Sequence, residues 1–192
     1  IIITGGLGYI GTELCKLYSG VSWHHNIIVI DNRFISERVN QIRNWNMEFI
    51  QGDILDKNLI RTHCEDADVV HHLAGVTDVP RTRSEASKFQ DEKIQEVGEK
   101  GTQNILDVIS DKCKIIFPST HVVYEGIKEV KTGIKENEEL KPVLSYSSSK
   151  AINENQLQKS GKNYVILRLG SVYGYSSDSM RVDIMPNLFS KI

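Results

Sequence analysis

Ile1-Ile2-Ile3-Thr4-Gly5-Gly6-Leu7-Gly8-Tyr9-Ile10-Gly11 opens the chain and decides how the rest of it is read. An apolar, β-branched run breaks into a glycine-rich turn, and an amphipathic segment, Thr12 to Tyr18, follows at once. Strand, tight turn and helix in that order are what a dinucleotide pyrophosphate needs. Glycines let the backbone turn sharply, let phosphates approach main-chain N–H groups, and let the helix pack closely on the strand. The helix N-terminus then presents unpaired donors and a positive dipole end to the anion. The spacing is Gly5-x-x-Gly8-x-x-Gly11, distinct from the G-x-G-x-x-G of the ordinary dinucleotide fingerprint. An ordinary strand–helix turn without a ligand is the competing reading. Two features of context favour the cofactor: a strand precedes the turn, and Asp31 stands twenty positions after Gly11, at the end of Ile27-Ile28-Val29-Ile30. Gly5, Gly8, Tyr9, Ile10 and Gly11 are thus the first candidate cofactor contacts.

Outward from this turn, strand-like and helix-like segments alternate, which predicts an α/β, doubly wound, mainly parallel sheet with helices on both faces. The expected strands are Ile1–Thr4, Ile27–Ile30, Met47–Ile50, Val69–Leu73, Lys114–Pro118 and Tyr164–Leu169. Helices are expected at Gly11–Tyr18, Ser36–Arg43, Lys57–Cys64, Ser84–Ile109 and Ser145–Lys159. The polar stretch from Glu125 to Pro142 has no clean periodicity and reads as a long loop, of the kind that shapes a ligand site at the carboxyl ends of strands. Residues from Asp183 to Ile192 look like the start of another helix.

The bulk properties are those of a soluble globular protein: 192 residues, 40% hydrophobic, 25% charged, net charge −2. Nothing points to a nucleic-acid surface, and no apolar run approaches the ~20 residues that span a bilayer. Cys15, Cys64 and Cys113 form no C-x-x-C and read as reduced, partly buried residues of a cytoplasmic protein. The six histidines show no ligand spacing with them, so no metal site is expected. The chain starts inside a strand without an initiator Met, which reads as a missing N-terminus.

Asp31 is placed to accept hydrogen bonds from the adenosine ribose hydroxyls, and a carboxylate there favours NAD over its 2′-phosphorylated form. Arg33 pulls the other way, because an arginine can pair with such a phosphate. Asp53, in Gly52-Asp53-Ile54, reads either as a contact to the adenine edge or as an N-terminal acid of the helix starting at Lys57. The strand Val69–Leu73 leads into Leu73-Ala74-Gly75, small residues that let a cofactor lie against the backbone. His71 and His72 occupy adjacent strand positions, point to opposite faces, and read as structural.

The strongest chemical signal is Tyr146-Ser147-Ser148-Ser149-Lys150. On a helix, i and i+4 share a face, so a phenol and an ammonium stand side by side. The positive charge stabilises phenolate and brings the group toward acid–base work near neutrality. The ammonium can also hold the nicotinamide ribose. A hydroxyl on the preceding strand end completes such a site, and Ser119 and Thr120 both offer one.

Taken together, these residues resemble the extended short-chain dehydrogenase/reductase superfamily, in its nucleotide-sugar epimerase and dehydratase branch. The matching stretches are Thr4–Gly11, Asp31-Asn32, Gly52-Asp53-Ile54, His72–Gly75, Gly101-Thr102, Ser119-Thr120 with Val123-Tyr124, Tyr146–Lys150, and Leu167-Arg168 with Val172-Tyr173-Gly174. The resemblance implies NAD as cofactor, held by Gly5, Gly8, Tyr9, Ile10, Gly11, Asp31, Asn32, Asp53, Ile54, Leu73, Ala74, Gly75, Tyr146 and Lys150. It places the catalytic hydroxyl on Thr120, the general acid/base on Tyr146 and the ribose-holding lysine on Lys150, with Thr120 and Ser171 toward the substrate. Three positions depart from the family pattern. Ser171 stands where an Asn is common before Val-Tyr-Gly. Gly98-Glu99-Lys100 replaces Asn-Val-x on the long helix, and the glycine after Val-Tyr is displaced, giving Tyr124-Glu125-Gly126.

The implied activity is NAD-dependent epimerisation or dehydration of a nucleoside-diphosphate sugar through transient oxidation at its 4-position. His121 follows Thr120, where the dehydratase branch usually carries an acid, and this favours the epimerase. The alternatives are a net oxidoreductase of the same superfamily on a non-sugar substrate, and a non-catalytic NAD-binding regulatory protein. The expected domains are 1–182, an NAD-binding domain carrying Thr120, Tyr146 and Lys150, and 183–192, the start of a truncated substrate domain. The resemblance also implies a homodimer through helices Ser84–Ile109 and Ser145–Lys159. Ile94, Val97, Ile105, Leu106 and Ile109 read either as its outward stripe or as core.

Overall fold

A computed structural model describes residues 1–76, 88–176 and 185–189. Six strands, β1 (Ile2–Thr4), β2 (Ile28–Asp31), β3 (Glu48–Gln51), β4 (Val69–His72), β5 (Lys114–Thr120) and β6 (Asn163–Leu169), form one sheet in the order β3-β2-β1-β4-β5-β6. Every neighbouring pair is parallel. Since parallel strands need crossovers, the helices between them cover both faces. They are α1 (Tyr9–Tyr18), α2 (Ser36–Asn44), α3 (Lys57–Cys64), α4 (Lys88–Gln95), α5 (Gly101–Val108) and α6 (Ser145–Lys159), and the short α7 (Met185–Phe189) follows β6. The doubly wound α/β expectation holds, and its element bounds shift by one or two residues. The largest shifts are at α1, which begins at Tyr9, and at β5, which continues to Thr120. No helix among the described residues is long and apolar enough to cross a membrane.

Alternation along the strands divides the core. Ile2, Ile30, Val70, Ile115 and Phe117 join Ile60, Ile105, Leu106 and Leu157 on one face. Ile3, Val29 and Phe49 join Leu7, Cys15, Val39 and Ile42 on the other. Each such side chain contributes about 1.5–3 kcal/mol by leaving water. The three cysteines are fully buried, where partial burial was expected.

The long helix expected over Ser84–Ile109 is described from Lys88 onward; 84–87 lie outside the described residues. It is continuous but not uniform. Between α4 and α5 it widens into a π-helical stretch, Glu96–Lys100. The displaced backbone is taken up by α6: Asn153 Nδ2 donates to the Gly98 carbonyl (3.1 Å) and Gln156 Nε2 to that of Glu99 (3.1 Å). A side chain at 98 would strike Ser149 Oγ, so α6 approaches because glycine stands there. Ile94, Ile105, Leu106 and Ile109 are buried, and Val97 packs against them. The four buried side chains are core rather than an outward stripe, and Val97 is partly buried against that core.

His72 shows how the middle of the sheet is pinned. Its ring lies between Thr4 Oγ1 (2.9 Å) and Thr102 Oγ1 (3.1 Å), and Thr4 Oγ1 also accepts from the Ala74 N–H (3.2 Å). His71, on the opposite face, meets the Tyr18 hydroxyl (2.8 Å). Burial, reinforced by the Lys150 charge, pushes the His72 pKa from 6.5 down to about 3. The unfolded chain therefore binds a proton that the fold refuses between those values. The stability this group contributes is complete above pH 6.5 and is lost as pH falls toward 3. Urea unfolding from pH 7 to pH 4 should show this loss, up to about 1.4 kcal/mol per pH unit. A His72→Gln variant should show a flatter profile.

Candidate functional site

Because every strand runs the same way, their carboxyl ends share one edge of the sheet. That edge collects the turn after β1, Asp31 at the end of β2, Asp53 beyond β3, Leu73–Gly75 beyond β4, Thr120 at the end of β5 and Ser171 beyond β6. The strand order reverses between β1 and β4, where open α/β sheets bind ligands. A shallow pocket of about 630 Å³, lined by Trp23, His24, Arg43 and Glu48 among others, lies beside the starts of β2 and β3, at the opposite edge.

At the reversal the β1 turn meets the β4 end without room for side chains. Gly5 has φ +70°, and a Cβ on it would lie 2.7 Å from the Ala74 nitrogen. A Cβ on Gly11 would lie 2.4 Å from the Gly5 carbonyl oxygen, so α1 closes directly onto the turn. Gly8 precedes α1 with no side-chain cap, which leaves first-turn amide donors for an outside anion. Gly75 is exposed with open space above its Cα. The residues present therefore fit a dinucleotide: a cradle that side chains would fill, ending in uncapped donors.

Asp31 is nearly buried. Its Oδ2 accepts from the Leu7 N–H (3.0 Å), and its Oδ1 accepts from the Arg33 N–H (3.0 Å) and from Arg33 Nε (3.3 Å). It braces the turn as well as facing the cofactor edge, and Arg33 is paired to it. Asn32 Nδ2 donates to Asp53 Oδ2 (3.2 Å), while Asp53 Oδ1 accepts from the Leu55 N–H (2.9 Å). The N-terminal acid of α3 is Asp56, which accepts from the Asn58 and Leu59 amides; the helix-capping alternative for Asp53 is overturned. Two of the candidate cofactor residues use their side chains elsewhere. Ile54 turns its side chain into the core against Gly101. Tyr9 sends its phenol to the Gly174 carbonyl (2.5 Å), where Asn187 Nδ2 also reaches it (3.2 Å). Any cofactor contact of Tyr9 is left to its backbone. Ile10 is partly exposed on the first turn of α1, and Ser171 is exposed.

The second half of the site is α6 packed on β5 and on the 3-10 turn His121–Tyr124. Tyr146 and Lys150 share a face, with Lys150 Nζ 5.9 Å from the Tyr146 ring centre and 4.3 Å from that of Phe117. The ammonium donates to the Pro118 carbonyl (2.8 Å). Burial pushes its pKa from 10.5 down to about 8, against an opposing pull from Glu154. Ser119 and Thr120, which both carry a hydroxyl at the strand end, are not equivalent in space. Ser119 Oγ donates to Glu154 Oε1 (2.5 Å), whereas Thr120 Oγ1 accepts from the Val122 N–H (3.3 Å) and has no acceptor for its own proton among the described residues.

Buried Glu154 and partly exposed Arg168 form an ion pair that sequence reading did not single out. Arg168 Nη2 donates to Glu154 Oε2 (2.6 Å) and Nε reaches both carboxylate oxygens (3.1 Å). Its Nη1 donates to the Glu136 carbonyl (2.9 Å) and to the Tyr124 hydroxyl. The signal was available: Tyr146, Lys150 and Glu154 repeat at i, i+4, i+8, so the acid lies on the inward stripe.

This geometry agrees with what the chain is similar to. All 192 residues match the NAD dependent epimerase/dehydratase family. The chain belongs to that family. It is 30% identical over 195 residues to a dTDP-D-glucose 4,6-dehydratase of Dictyostelium discoideum, covering 91% of this chain and 44% of that protein. It is 30% identical over 204 residues to a CDP-paratose 2-epimerase of Salmonella typhi, covering 91% and 57%. Among solved structures, UDP-glucose 4-epimerase from Brucella ovis in complex with NAD superposes with a TM-score of 0.73 at 27% identity, covering 91% of this chain and 53% of that one. The chain thus spans about half the length of these relatives. NAD is the cofactor of this family member.

Removing one partner of this pair exposes its worth. Glu154→Ala removes the carboxylate from the partly exposed Arg168 guanidinium and from Ser119 and should cost about 1–3 kcal/mol in urea unfolding. Glu154→Gln, which keeps an acceptor, should cost clearly less.

Proposed function

We propose that this chain is the cofactor-binding and acid–base part of an NAD-dependent epimerase acting on a nucleoside-diphosphate sugar. The observation that carries the reading is the desolvated Lys150 ammonium beside the Tyr146 ring, on the helix that packs against the strand ending in Thr120. Bound NAD supplies a hydride acceptor and donor for transient oxidation at the sugar's 4-position. Gly5, Gly8, Gly11, Asp31, Asn32 and Asp53 would hold its adenosine diphosphate half, and Leu73–Gly75 with Lys150 the remainder. Thr120 donates its free O–H to the sugar's 4-oxygen. The Tyr146 phenolate removes the 4-hydroxyl proton as C4 becomes a ketone, and returns it when the carbinol re-forms. Lys150 favours that phenolate by its charge. Ser171, exposed at the same edge, faces the substrate.

His121 in place of an acid after Thr120 supports epimerisation over dehydration; its Nδ1 lies 3.1 Å from the Leu169 carbonyl. We place residues 1–182 in the NAD-binding domain and 183–192 at the start of a substrate domain. Three buried, unpaired thiols support a cytoplasmic setting.

The test mixes the full-length protein and NAD with UDP-, dTDP- and GDP-hexoses, following reduced-nicotinamide absorbance and the recovered sugar. The expected outcome is an inverted sugar with no accumulation of free NADH. Free NADH would establish a net dehydrogenase, and a deoxy-keto product a dehydratase. Tyr146→Phe should lower turnover by about 10²–10⁴-fold with NAD binding intact; unchanged turnover would remove Tyr146 from the chemistry. Lys150→Met should abolish turnover yet stabilise the fold at pH 7 by on the order of 1–3 kcal/mol, because it removes a partly buried charge. That gain should shrink as pH rises from about 8 toward 10.5, where the folded wild-type lysine sheds its proton before the unfolded one does.

A further inference from the structure

Tyr146 is the second residue of α6, in the turn of a helix most prone to fray. Lys150, one turn further in, is anchored by burial and by its bond to Pro118. The residue before the helix is Leu144, whose side chain has no acceptor, and the first turn carries no acid. A helix that begins this way needs its leading N–H groups satisfied from elsewhere.

Glu125 holds the entry to this helix, sharing the two amides just ahead of it with Ser147 Oγ (3.2 Å to each). Its Oε1 accepts from the Val143 N–H (2.8 Å), from the Leu144 N–H (2.7 Å) and from the Ser147 hydroxyl. Glu125 itself directly follows the 3-10 turn His121–Tyr124, which Thr120 caps. The loop between the two is clamped so that this reach is short. The Lys141 N–H donates to the Val123 carbonyl (2.8 Å), and the Gly126 N–H donates to that of Lys141 (2.8 Å). A Cβ on residue 126 would lie 2.6 Å from the Lys141 carbonyl oxygen. The glycine is therefore required at 126, where the chain segments cross, and position 125 is open to an acid.

We propose that Glu125 is the positioning residue for Tyr146. It joins the turn that follows Thr120 to the first turn of α6, and so fixes the distance between the hydroxyl and the phenol. A carboxylate suits the task twice over, through charge-assisted bonds and through the positive end of the helix dipole. Glu125 does not touch the reacting atoms; it acts by holding the helix turn that bears Tyr146. This inference rests on the acid–base role proposed for Tyr146.

The test compares wild type, Glu125→Ala and Glu125→Gln in the full-length protein by two readouts. One is turnover of the nucleotide sugar found active, with KM and NAD affinity measured alongside. The other, independent of activity, is amide hydrogen exchange in the segment 143–150. Glu125→Ala should lower kcat by about tenfold to a hundredfold. KM and NAD affinity should stay within about twofold, and exchange across 143–150 should quicken by about fivefold or more. Glu125→Gln, which retains the oxygen acceptor, should recover most of both losses. Wild-type turnover that Glu125→Ala leaves within about twofold would overturn the inference while the function stands. So would unchanged exchange across 143–150. A wild type inactive on every sugar would defeat the proposed function, and the exchange result alone would then decide whether Glu125 orders this turn.

Discussion

Two stretches of backbone pass each other at Gly5 with no space for a side chain between them. The turn after β1 lies directly against the end of β4, and this contact sets where the sheet reverses its winding. It also fixes what the reversal can hold. With Gly5 in a left-handed conformation and Gly11 closed onto its carbonyl, α1 starts at the turn itself, and its uncapped amides face the sheet edge. Asp31 keeps the loop in place from the neighbouring strand by accepting the Leu7 amide. A larger residue at Gly5 would push β1 and β4 apart, and the Thr4–His72–Thr102 chain behind them would lose its geometry.

The other half of the molecule solves a different problem. α6 buries Ser147, Ser149, Asn153 and Glu154 together with Leu157, so its inward face is mostly polar. Burying such a face costs free energy unless each group is paired. Asn153 takes the carbonyl freed by the π-helical stretch, Glu154 takes Arg168 and Ser119, and Lys150 takes the Pro118 carbonyl. The widened helical turn at Glu96–Lys100 is thus part of the same arrangement. It offers carbonyls to α6 where a regular helix would have used them itself.

These two halves differ in how far the sequence reveals them. Apolar runs and glycine spacing made the parallel sheet legible, because β-branched alternation and tight turns are local properties. Lys57–Cys64 and Ser145–Lys159 are helices over the expected spans. The π-helical stretch was not legible, since its cause is the approach of Ser149, Asn153 and Gln156 from a helix some fifty residues away. The same holds for Tyr9 and Ile54. Their place in a motif suggested cofactor contacts, and only tertiary packing shows that one phenol reaches Gly174 and one aliphatic chain fills the core. The resemblance pointed to Thr120 rather than Ser119, and the physical difference between them is that Glu154 claims the first.

What remains is a conflict between stability and chemistry concentrated on one face of α6. A lysine desolvated until its pKa falls to about 8 is a poor choice for a fold, and the nearby neutral His72 offers it no countercharge. Glu154 is the nearest acid on that face, and it is already engaged by Arg168 and Ser119. An acid bonded directly to Lys150 would relieve the burial but would also neutralise the field acting on the Tyr146 ring. The observed compromise places the carboxylate one helical turn further along. There it moderates the cost without cancelling the charge, and the ammonium bonds to a neutral carbonyl instead. A site arranged for stability alone would have placed a methionine at 150. The retained cation is therefore the feature of this fold that packing explains least and that the acid–base role proposed for Tyr146 would explain.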